Sequence, residues 1–188
     1  MAHPLHELIG IEFEKYFNSK AKYKLFLDPA CVAEDMVKKV VDPQNIPFFL
    51  DKTKPKRAVW FTNVDIMVAD VSNKTNKIKI VCEIDESNVK PGHIFGKFLS
   101  LISSGLCILN DDSEYYFDEE LIFIQVLDSK NIKIKKQSKK VEQWSNIEKT
   151  IKTNFNTFSG FRSIRYHHLI VNKSDFDRKE LISIFDKL

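Results

Sequence analysis

Apolar and polar positions follow two rhythms along this chain, and each change of rhythm marks an element. From about Pro4 to Ser19 the spacing predicts a helix, with Leu5, Leu8, Ile9, Phe13 and Tyr16 on one face. Glu12 falls in the middle of that face, while Glu7 and Glu14 point away. A carboxylate on a buried helix face is costly unless something positive meets it. Residues 30–56 give no clean period. "VAEDMVKKVV" suits a short helix, and "DPQNIPFFLDKTKPKR" holds too many prolines for a regular element. The stretch therefore reads as an irregular insertion.

Strand patterns follow. "RAVWF" is one and "VDIMVADV" another, and "SNKTNK" supplies the turn before "IKIVCEID", so the last two predict an antiparallel hairpin. Helical spacing returns from about His93 to Ser104 with Ile94, Phe95, Phe98, Leu101 and Ile102. "GLCIL" suits a strand, "NDDSEYYFDEE" an acidic loop, and "LIFIQVL" a buried strand. A helix follows over "VEQWSNIEKTIKTNF", then the strand "RSIRYHHLIV", then a last helix for which Ser174 is the candidate N-cap. This order predicts an α/β protein with a mixed central β-sheet flanked by helices. Its 188 residues suit a single domain, with the core in about 1–20 and 57–172.

Charge sharpens the picture. Residues 1–128 carry 15 Lys and Arg against 20 Asp and Glu, whereas residues 129–188 carry 14 against 6. An acidic part suits a cation and a basic part suits a polyanion. Cys31, Cys82 and Cys107 are odd in number and widely spaced, which offers neither a zinc motif nor a disulfide framework. No apolar run reaches the ~20 residues that span a bilayer, and charges interrupt the N-terminal stretch. The expectation is a cytoplasmic protein without a membrane partner.

The chemistry concentrates in "KIKIVCEID". Strand alternation puts Ile78, Ile80, Cys82 and Ile84 on one face and Val81, Glu83 and Asp85 on the other. Asp65 enters the preceding strand, and the hairpin brings it toward Glu83. Three crowded carboxylates repel one another unless a proton or a cation intervenes. A hard divalent ion such as Mg²⁺ takes oxygen ligands of this kind.

Asp65, followed 18 residues later by Glu83-Ile84-Asp85 with a helix on either side, resembles the PD-(D/E)XK nuclease superfamily, the restriction-endonuclease-like fold. The resemblance is carried by residues 64–105 and, more loosely, by the first helix. It implies Mg²⁺ (Mn²⁺ as substitute) held by Asp65, Glu83 and the backbone carbonyl of Ile84, and a metal-activated water attacking a phosphodiester of DNA. It also implies that an acid of the first helix, here Glu12, joins the site. The family's usual lysine is replaced by Asp85, similar to a subset of type II restriction endonucleases. Lys97 of the following helix then becomes the candidate to stabilise charge on the phosphate.

Lys130, Lys133, Lys135, Lys136, Lys139 and Lys140, extended by Arg162 and Arg165, form the candidate phosphate-contacting surface. The resemblance implies double-stranded DNA, while the residues themselves admit RNA as well, and cutting two strands with one site each suits a homodimer. The alternative is a non-cleaving member of the same fold that binds nucleic acid or serves in assembly, a reading that Asp85 in the lysine position favours.

Overall fold

A computed structural model describes residues 3–33, 36, 43–50, 61–86, 90–131, 137–155 and 163–188. Helix α1 (Pro4–Phe17) starts with proline at its first position, where the missing N–H is harmless. It buries Leu5, Ile9, Phe13 and Phe17. The strands are β1 (Tyr23–Leu27), β2 (Ile46–Phe49), β3 (Thr62–Val64), β4 (Ile66–Asp70) and β5 (Lys77–Asp85). Helix α2 (Pro91–Ile102) then leads to β6 (Leu106–Ile108) and β7 (Glu114–Asp128). Helix α3 (Gln137–Asn154), β8 (Ser163–Val171) and α4 (Arg178–Phe185) complete the described α-helices and strands.

The eight strands form one mixed sheet in the order β1-β4-β5-β7-β6-β2-β3, with β8 also on β7. Strand β5 runs antiparallel to β4 and parallel to β7, and β7 runs parallel to β8. The parallel β5–β7 pair needs a crossover, and α2 lies within it. On one face α1 and α4 pack against Ile66, Val68, Ile80, Cys82, Ile122 and Ile124. On the other, Phe98, Leu101 and Ile102 of α2 and Ile151 of α3 pack against Met67, Val81, Phe123 and Tyr166. The protein is thus α/β with a sheet between two helical layers.

Several expectations change. "VDIMVADV" is not one strand: Asp65 interrupts it between β3 and β4, and its carbonyl accepts from the Asp28 N–H at 2.8 Å. Of "RAVWF", residues 57–60 lie outside the described residues and Phe61 is a bend. The proline-rich stretch contains β2. Pro47 is accommodated because pairing with β6 begins only at Phe48. "YKLFL", which carries no clean alternation, forms β1 against β4.

The acidic segment is also a strand, because Tyr115 and Phe117 bury against the α2 face and extend β7 backwards to Glu114. Its charges gather where the ladder slips, between the pairs Ile78–Phe117 and Ile80–Ile122, and there Lys79 pairs with Asp118. The same irregularity sends Ile78 to the Val81 face instead of the Ile80 face. Finally, α4 is capped by Asp177, whose carboxylate accepts from the Lys179 N–H. Ser174 sits in a short 3₁₀ turn instead. No helix among the described residues is long and apolar enough to cross a membrane.

Candidate active site

The site grows from the end of β5. With Ile80, Cys82 and Ile84 packed under α1, the alternate residues Glu83 and Asp85 face α2. Helix α2 buries Ile94, Phe98, Leu101 and Ile102. His93 and Lys97, one turn apart, lie over the strand end as a consequence. The Lys97 Nζ is 2.7 Å from Glu83 Oε2 and 3.4 Å from Asp85 Oδ1. The Nε2 of His93 is 3.4 Å from the same Asp85 oxygen.

Asp65 joins from the β3–β4 break. The ladder sets Ile66 opposite Cys82, which brings Asp65 level with Glu83. Its Oδ2 accepts a hydrogen bond of 2.6 Å from the Ile84 N–H. Strands and α2 therefore gather Asp65, Glu83, Ile84, Asp85 and Lys97. Glu12 is paired within its own helix: its carboxylate accepts from Lys15 at 2.9 Å. The α1 side chain at Asp65 is His6, with Nε2 3.7 Å from Asp65 Oδ1.

Two supports escape the sequence reading. Gln125 on β7 is fully buried and donates through Nε2 to Asp85 Oδ2 at 3.3 Å and to the Ile94 carbonyl at 3.4 Å. Its Oε1 accepts from the Tyr166 hydroxyl at 2.8 Å. One signal was available, since Gln125 is the single polar residue within "LIFIQVL". The second support is Glu86, whose Oε1 accepts from the Leu5 and His6 N–H groups and lies 2.8 Å from His6 Nδ1. A carboxylate at the first turn of α1 answers N–H groups that the helix itself leaves unpaired.

The charges do not balance. Three carboxylates surround one ammonium, and Glu83 is only 1% exposed. Burial pushes its carboxyl up to about 8, aided by Asp65 and Asp85 and opposed by Lys97. Burial also raises Asp65, against Lys97, His6 and the Ile84 N–H. Lys97 moves up too: burial alone would lower it, but Glu83, Asp85 and Asp65 together hold the ammonium above its usual value. The other Glu83 oxygen, Oε1, is buried with no hydrogen-bond partner. An orphaned carboxylate oxygen among further acids is a donor set that fits a hard divalent ion.

No protein-family model, curated protein or solved structure matches this chain.

The basic surface is less assembled. Lys130 is exposed just after β7, and Lys139 is exposed on α3. Lys140 lies on the same helix, while Lys133, Lys135, Lys136 and Arg162 lie outside the described residues. Arg165 is partly engaged within the fold, donating to the Lys187 carbonyl at 3.0 Å. All three cysteines are free and buried. Burial raises each thiol, which keeps it protonated and unreactive.

Proposed function

We propose that this chain is a Mg²⁺-dependent endonuclease that hydrolyses phosphodiester bonds of DNA. The observation that carries the reading is the buried, partnerless Oε1 of Glu83 set among Asp65, Asp85 and Lys97. A restriction-endonuclease-like arrangement is supported by the helix α1, the antiparallel β4–β5 pair and the α2 crossover to a parallel β7. Double-stranded DNA and a homodimeric enzyme belong to the same proposal.

Asp65 and Glu83 would hold the ion, with the Ile84 carbonyl beside them. When bound, the ion would supply an activated water and polarise the phosphodiester. Lys97 takes the role that the family gives to a lysine on the strand, because α2 delivers an ammonium to the same carboxylate. There it can neutralise charge that develops on the phosphate. Asp85 acts through Lys97 and His93 as a positioning residue, and Gln125 and Tyr166 fix its other oxygen. Glu83 must lose its proton before a cation enters, so ion binding strengthens as pH rises toward about 8.

The test is cleavage of supercoiled plasmid and of branched DNA with Mg²⁺ or Mn²⁺, with wild type beside Glu83→Ala. Cutting by wild type that is lost in the variant is the expected result. Binding of DNA by both proteins without cutting would overturn the hydrolase and favour a binding module.

A further inference from the structure

A second group of ligands stands behind the first. His3, His6 and Glu86 each present one ligand atom, and these atoms lie within 4.8 Å of one another. The two rings meet edge to face at 5.3 Å between centroids. Each residue is placed by a different constraint. His3 is the N-cap residue of α1, His6 lies in the helix's first turn, and Glu86 follows the last residue of β5. Glu86 is anchored by the Leu5 and His6 N–H groups, which set its carboxylate beside the rings.

The far nitrogen of His6 makes the group more than a cluster. With Nδ1 turned toward Glu86, Nε2 faces the Asp65 carboxylate at 3.7 Å. A metal-bound imidazole characteristically gives its other N–H to a carboxylate, which fixes the tautomer and the ring plane. Asp65 is placed for that role once the His6 proton resides on Nε2. The positive end of α1 works against a cation here, and the Glu86 charge offsets it.

We propose that His3, His6 and Glu86 bind a first-row transition ion such as Zn²⁺ or Co²⁺, with Asp65 orienting His6 from behind. Two imidazoles and one carboxylate suit such ions, whereas Mg²⁺ and Ca²⁺ prefer all-oxygen sets. Three protein ligands leave a fourth position open, as in catalytic rather than structural zinc sites. The site goes beyond the proposed hydrolase and touches it only through Asp65.

The test is titration of the chain, without appended histidines, with Co²⁺ followed by visible absorption. Wild type should develop a tetrahedral-type spectrum that saturates at one equivalent. His3 is exposed, so His3→Ala removes a ligand without touching the core, and it should weaken binding at least ~10-fold. Asp65→Asn should weaken binding, and Glu83→Ala should keep the spectrum. A wild-type protein without the spectrum, or a spectrum unchanged in His3→Ala, would overturn the site. Since the readout is the bound ion, the result is independent of whether DNA is cut.

Discussion

Replacing Lys97 with methionine is the sharpest probe of the buried charge cluster. The substitution keeps the apolar stem and deletes the ammonium, so packing on α2 changes little while Glu83 and Asp85 lose their shared cation. Breaking a buried ion pair from one side costs about 3–5 kcal/mol. The Lys97 side chain is 24% exposed, which lets water replace part of the interaction, so about 2–3 kcal/mol is the expected loss at pH 8. For a chain of this length that corresponds to a fall of roughly 5–10 °C in Tm. The loss should shrink toward pH 6, where a proton on Glu83 takes over part of the neutralisation. Urea unfolding of Lys97→Met, Glu83→Gln and the double variant closes a thermodynamic cycle. The double variant should recover at least about 1 kcal/mol relative to additivity. A loss below about 0.5 kcal/mol at pH 8, or strict additivity, would show that Lys97 lies in solvent and that the carboxylates are satisfied in another way.

Two other outcomes follow from the same residues. Because the folded protein holds a proton on Glu83 that the unfolded chain releases near 4.5, stability should fall as pH rises between 4.5 and about 8. The slope approaches ~1.4 kcal/mol per pH unit, and Glu83→Gln should flatten it in urea titrations at pH 5, 6.5 and 8; equal slopes would contradict the raised carboxyl. Tyr166→Phe leaves Gln125 Oε1 buried without its donor, at a cost of about 1–3 kcal/mol. If Asp85 positions Lys97, the variant should also lower the rate of DNA cleavage while leaving Mg²⁺ affinity, measured by calorimetry, unchanged.

The carboxylates were legible because strand alternation is a strict rule: residues two apart on β5 must face the same way, and hairpin pairing must bring Asp65 toward them. Lys97 was legible for a similar reason, as the charged residue on an otherwise apolar helix. Contacts between elements distant in sequence were not. Gln125 reaches Asp85 across 40 positions, and Glu86 reaches His6 across 80, and no local pattern encodes such a meeting. Glu12 shows the converse. Its position on the buried face called for a cation, and Lys15, one turn away, meets that need without any help from the strands. In the acidic segment the charges dominate the composition, but the buried Tyr115 and half-buried Phe117 decide the conformation. Ile78 changes face at a ladder irregularity, and such an irregularity leaves no mark in composition.

Strand β7 pairs with β5, β6 and β8 along its length, and Leu121 to Leu127 are wholly shielded from solvent. Each amide hydrogen there points to one neighbour, and those that donate toward β5 reach deuterium only when the centre of the sheet opens, an event close to global unfolding. Gln125 therefore rides on the part of the backbone that should exchange most slowly. Edge strands such as β1 and β3 can fray and reclose many times while the support behind Asp85 stays in register.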